Sequence, residues 1–361
     1  MSERKITRRE FVKESTIAAA GLAAAAAAAH AGQADTRKVL NYNPNMEYRP
    51  CGKTGLTVSA VAMGGHWKRI EEVVPGLTGK SWLAYNIDDP GFQKNRYEVV
   101  TKCMEVGINW IDACTIQEVM AYSKALKGRR DKMYLACSWY QNELRNASFR
   151  TEKALLETLD KGMKDAGLDY VDLWRITMHE QSVKHTDGEV EEMMKALEAA
   201  RKSGKVRFTG FSSHHREHIR GMIEKYPTIV DAFCTPYTFK TIEKPQDSMF
   251  DAVRKHQVGV FGIKPFGGNS LFKGGASQGN ATAKDHDDLA RLAIRTILTN
   301  KSLTAPIPGM ISTQQVDNIV KAVKEPRQLS AAERERFSKA AEQAWASLPQ
   351  EYCWLKDWEY V

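Results

Sequence analysis

Six side chains able to do chemistry, His66, Asp112, His179, Glu180, His214 and His215, fall at or just after the ends of apolar, β-branched runs in this 361-residue chain. Imidazoles and carboxylates converging from parallel strands are ligands for a divalent cation. The alternative has these histidines capping helices or sitting on loops, and it is preferred, so no metal is assigned. Residues two apart in a strand share a face, so His179 stands above Thr177. Trp67, Trp139 and Trp174 lie near the same strand ends and offer faces on which a sugar ring could stack. The six cysteines contain no CxxC and no paired short spacing, which argues against a zinc or iron–sulfur framework. Several of them sit in apolar runs, where packing thiols are expected.

The elements that must position these groups alternate strictly. Strand-like runs are expected at Val58–Met63, Asn109–Ala113, Met133–Ser138, Val171–Ile176, Val206–Phe211, Ile229–Phe233, Val258–Ile263 and Thr304–Ile307. Amphipathic stretches such as Phe149–Ala166, Glu189–Lys202 and Asp285–Thr299 lie between them, with apolar residues at helical spacing. Such alternation calls for parallel strands joined by crossover helices, and eight units make a (β/α)₈ TIM barrel in a single domain. With 42% hydrophobic and 27% charged residues, the chain can bury a large core. Its net charge of +8 includes no block of five or more like charges, so nucleic acid is not an expected partner.

The first 31 residues read differently. Thr7-Arg8-Arg9-Glu10-Phe11 is a twin-arginine n-region, the run from Ile17 to Ala29 is short and alanine-rich, and Ala29-His30-Ala31 suits a signal peptidase. Export to the periplasm, or otherwise beyond the cytoplasmic membrane, is expected, with the twin-arginine translocon as the partner during transit. A polar linker at 32–45, a barrel at 46–325 and a C-terminal helix and tail at 326–361 complete the expected organisation.

Several motifs resemble the aldo-keto reductase superfamily, in its order. Glu47–Ser59 resembles the N-terminal hairpin that plugs the bottom of that barrel, and Gly107-Ile108-Asn109-Trp110-Ile111-Asp112-Ala113 its second strand. Leu168-Asp169-Tyr170-Val171-Asp172-Leu173, Gly204–Ser213 and Ala305-Pro306-Ile307-Pro308-Gly309-Met310 follow in sequence. The resemblance implies NADP(H)-linked carbonyl reduction. In the family, a tyrosine gives the proton, a lysine and an aspartate lower its pKa, and a histidine orients the substrate oxygen.

Only the aspartate, Asp112, matches here. Cys114–Glu118 stands where the tyrosine is expected, Ser138 where the lysine is, and Thr177 where the histidine is. Tyr122 is expected to pack on its helix rather than enter the site. Cofactor positions depart as well: Cys234 replaces a glutamine, Ile263 the aromatic that stacks on the nicotinamide, and Ile319 (or Asn318) the adenine-contacting asparagine. The resemblance still implies Ser212, Ser213, Phe266, Gly268, Gly309, Ser312 and Gln315 as cofactor-binding residues. Asp112, His179 and Lys264 form the expected catalytic set, with Lys264 pairing with Asp112 and His179 giving the proton. Each lost contact gives up about 1 kcal/mol, so NADP(H) binding is expected to be weak or absent. Ordinary turnover of simple aldehydes is not expected. The readings are an oxidoreductase with a non-standard site, an inactive barrel that binds or scaffolds, or a metal-assisted or lyase-type reaction at the mouth. The small-molecule substrate is not legible.

Overall fold

The computed structural model describes residues 38–78, 85–178, 182–272, 281–357 and 361. The export signal, His179 and Glu180 therefore lie outside the described residues. A hairpin, β1 (Tyr48–Pro50) and β2 (Thr57–Ser59), precedes eight parallel strands. These are β3 (Met63–Gly64), β4 (Trp110–Ala113), β5 (Tyr134–Cys137), β6 (Val171–Thr177), β7 (Val206–Ser212), β8 (Ala232–Pro236), β9 (Gly259–Ile263) and β10 (Ala305–Pro306). They pair in chain order, and Ala62 and Gly64 donate to Pro306 and Pro308 O at 3.0 and 2.9 Å, joining the first strand to the last. The result is the (β/α)₈ barrel with an N-terminal hairpin.

The helices are α1 (Pro90–Glu105), α2 (Ile116–Ala125), α3 (Glu152–Ala166), α4 (Asp187–Lys202), α5 (Arg216–Lys225), α6 (Met249–His256), α7 (Ala281–Ile297), α8 (Thr313–Lys324) and α9 (Ala331–Ala346). Hydroxyl caps start several of them: Thr115 caps α2, Thr151 caps α3, and Ser312 caps α8. The run expected as one strand at Val58–Met63 is split in two. Ser59 Oγ donates to Val61 O while Asn109 Oδ1 accepts from Ser59 N, which turns the chain from hairpin into barrel. The sixth strand is Ala232–Pro236 instead of Ile229–Phe233, because Ile229 and Val230 still close the turn after α5 through Tyr226 O.

Two cores follow from the two faces of the strands. Inside the barrel, Trp110 stacks on Phe261 with centroids 4.4 Å apart, and Cys51, Leu56 and Val58 of the hairpin plug its floor. The larger core fills the space between strands and helices. Trp67, Trp139 and Trp174 all belong to it, and none of them offers a stacking face to the mouth. Trp67 packs edge-on to Phe92 and Tyr122, Trp139 lies against Gly162 of α3, and Trp174 occupies the strand face opposite Thr177.

Gly167 ends α3 at φ +64°, and a Cβ there would meet nothing within 4 Å. Gly167→Ala should thus cost only the left-handed backbone penalty, about 1 kcal/mol. A urea midpoint indistinguishable from wild type would refute this.

Candidate active site at the barrel mouth

A cavity of about 710 Å³ opens at the C-terminal ends of the strands, where barrel active sites lie. Asp112, the last residue but one of β4, lines it and is buried. Its partner is Arg175 of β6, not Lys264: Arg175 Nε donates to Asp112 Oδ2 at 2.6 Å, and Nη2 to Oδ1. Burial pushes the Arg175 guanidinium down, but the Asp112 charge outweighs it and holds its pKa well above the ordinary value. Cys234 Sγ lies 3.6 Å from Asp112 Oδ2. The expected Lys264–Asp112 pairing is therefore corrected. Lys264, at φ +59°, lines the cavity with Nζ 5.4 Å from the Trp354 ring. Arg175 was legible in principle, since it alternates with Leu173 and Thr177 on the inward face of β6.

Ser138 and Thr177 are held by an acid that the sequence reading did not single out. Glu143, fully buried in the loop after β5, accepts from Ser138 Oγ, from Thr177 N at 2.7 Å and from Trp174 Nε1 at 3.0 Å. The two hydroxyls lie 2.6 Å apart, and Thr177 reaches the cavity wall. Burial pushes the Glu143 carboxyl above its ordinary value despite these donors.

A second group forms across β3, β4 and α2. Glu118, buried in the first turn of α2, accepts from His66 N at 2.5 Å, and His66 Nδ1 lies 2.7 Å from the same Oε1. Its other oxygen accepts from Cys114 N at 2.7 Å. Burial raises the Glu118 carboxyl, but His66 and these N–H donors outweigh it and hold the pKa below its ordinary value. Burial and the Glu118 charge push the Cys114 thiol well above its own, so it is a thiol at neutral pH. Tyr122 lies in the core, its hydroxyl donating to Gly64 O at 2.8 Å.

Among the described residues, the constellation weighed for a metal does not assemble. Asp112 is taken by Arg175, His214 stacks on Trp354 at 4.5 Å, and the His215 ring caps α5 by accepting from His218 N. Burial, then the charges of Lys264, Arg145 and Arg216, hold the His214 pKa well below the usual value. Among the described residues, His66, Cys114 and Glu118 do bring possible ligand atoms within 4.8 Å of one another. Cys114 Sγ is 3.7 Å from both ring nitrogens of His66, within sulfur hydrogen-bond range of either.

Of the expected cofactor residues, Ser212, Phe266, Gly268, Gly309, Ser312 and Gln315 line the cavity. Ser213 does not. The strand alternation turns it outward, where its hydroxyl meets Ser182 Oγ at 2.6 Å. The C-terminal tail returns to the mouth as a 3₁₀ segment, Gln350–Asp357. Its Tyr352 ring covers Gly268, its hydroxyl accepts from Lys68 Nζ at 2.7 Å, and Trp354 lies between His214 and Lys264. These contacts span more than 80 residues of sequence, which hid the tail's role from pattern reading.

A barrel closed by an N-terminal hairpin, with its ionisable groups at the strand ends, defines an aldo/keto reductase architecture. The chain belongs to the aldo/keto reductase family, whose model matches residues 88–342. It is similar to L-galactose dehydrogenase of Arabidopsis thaliana, 24% identical over 305 residues, covering 78% of this chain and 89% of the plant protein. It is also similar to L-glyceraldehyde 3-phosphate reductase of Escherichia coli, 23% identical with 61% of each chain covered. The holo form of an aldo-keto reductase from Bacillus halodurans superposes with a TM-score of 0.58 at 20% identity, covering 85% of this chain and 99% of that one. Family membership makes the protein oxidoreductase-like, and aldo-keto reductases generally use NADP(H).

Proposed function

We propose that the protein is an exported, NADP(H)-linked oxidoreductase acting on a small hydroxy or carbonyl compound with a non-standard set of residues. The observation that carries this reading is the cavity, which brings the start of α8 and the 264–268 loop together with the ionisable ends of β3, β4 and β6. Arg8-Arg9 and the alanine-rich run support export by the twin-arginine translocon. That route carries folded proteins, so a cofactor can be seated beforehand.

The residues fit such a cofactor in outline. A volume of about 710 Å³ is within the usual range of ligand sites. The N-terminal turn of α8 lines it, and helix starts attract phosphate. The base-reading contacts are fewer. Asn318 donates to Asp287 O and accepts from Arg291, and Ser312 and Gln315 use their side-chain oxygens to accept from Gln315 N and Ile311 N. Ser212, Phe266, Gly268 and Gly309 would flank the cofactor, whose chemistry is hydride transfer. Asp112 and Arg175 together keep the floor of the site close to neutral.

The test is titration of the purified exported form with NADPH, followed by assays with L-galactose plus NADP⁺ and L-glyceraldehyde 3-phosphate plus NADPH. Two or three missing contacts should raise the Kd by about 30–150-fold over a site that makes them all. No binding at millimolar NADPH would overturn the redox reading and favour a barrel that binds without reaction.

A further inference from the structure

The His66–Glu118 arrangement has the marks of a built site. Gly65 precedes it, and a Cβ there would lie 2.1–2.4 Å from the Glu118 carboxylate, so only glycine lets that acid reach the His66 amide. His66 itself is held at φ +53°, a left-handed conformation uncommon for a residue with a Cβ. One oxygen of Glu118 grips both its backbone N–H and its ring. Strain of this kind persists only where the surroundings over-determine it, and it gathers at functional sites. The His66 side chain is 43% exposed and lines the cavity, while its partner is 1% exposed. Glu118 also lies six residues after Asp112, beside the place where the family resemblance calls for tyrosine.

We infer that His66 is the proton-transferring residue of this cavity and that Glu118 is its positioning residue. The inference rests on the redox reading above and deepens it. A carboxylate at Nδ1 fixes the tautomer, leaving Nε2 as the nitrogen that exchanges a proton. In the oxidative direction, the substrate O–H bond breaks and its proton passes to Nε2. The carbon gives its hydride to the oxidised nicotinamide, and a C=O bond forms. In the reductive direction, Nε2–H protonates the oxygen as hydride arrives at carbon. Glu118 stabilises the imidazolium by remaining ionised, the role its depressed pKa suits.

The experiment compares wild type with His66→Gly and Glu118→Gln in the two assays above. Glycine suits the left-handed backbone and leaves room for added imidazole. His66→Gly should lower kcat by about 10²–10⁴-fold with NADPH affinity unchanged, and imidazole should restore part of the rate. Glu118→Gln should lower kcat by about 10²-fold with KM and NADPH affinity unchanged, because the ring loses the carboxylate that orients it. Wild-type kcat retained by His66→Gly would overturn the inference and leave the redox reading intact. So would EDTA-sensitive activity restored by zinc, because His66 would then be a metal ligand. A wild type that binds NADPH poorly and turns over neither substrate would overturn the redox reading, and the inference with it.

Discussion

Replacing Arg175 with methionine is expected to lower the stability of the fold by about 3–5 kcal/mol at pH 7. The guanidinium and the Asp112 carboxylate are each nearly inaccessible, and two hydrogen bonds join them. Methionine fills a similar volume, so packing loss is a minor part of the effect. The major part is a carboxylate left in the barrel with only the Cys234 thiol near it. Adding Asp112→Asn to the variant should recover most of the loss, because removing both charges removes the unpaired one. Urea unfolding of the single and double variants at pH 7 reads both claims. A single-variant loss below about 1 kcal/mol would show that water reaches the pair.

The second large effect is expected at Glu143. Glutamine keeps the length of the side chain but supplies one acceptor oxygen where the glutamate has two. If that oxygen stays with Ser138 and Thr177 N, the new amide N–H faces the Trp174 indole N–H, and a donor meets a donor. An unsatisfied buried donor costs about 1–3 kcal/mol, and two face each other here, so Glu143→Gln should lose about 2–4 kcal/mol. The pH dependence carries its own sign. Burial raises the folded pKa of Glu143, so its contribution is most favourable below the unfolded value, near 4.5, and declines as pH rises through the folded one. Glutamine does not titrate, so the gap between wild type and variant should narrow from pH 4 to pH 7. A constant gap across that range would mean the carboxyl titrates alike in the folded and unfolded states.

How far the site could be read in advance depended on how far apart its members lie in sequence. Ser138, Thr177 and Ile263 could be placed at strand ends because the strand character of the runs that lead to them is local. Ser312 was legible in the same way, since a hydroxyl before an amphipathic stretch caps a helix within its own turn. Arg175 carried a usable signal, the period of two that aligns it with Thr177. Glu118 carried none. It follows Cys114 by one helical turn, but what gives it a role is His66, 52 residues earlier, just past a strand that meets β4 only when the barrel forms.

The sequence by itself determined the order of the elements, the barrel and its N-terminal hairpin. Those follow from hydrophobic period and local turn chemistry, which act over a few residues. Tertiary structure decided which charges pair. The sequence reading paired Asp112 with Lys264, but the inward face of β6 set Arg175 against it, while Lys264 turned toward Trp354. It also decided that Trp174 packs outward and that Tyr352 and Trp354, from the tail, close over the mouth. Charge pairing and wall composition depend on distances between strands that are neighbours in the barrel and far apart along the chain. No periodicity along the chain encodes such distances.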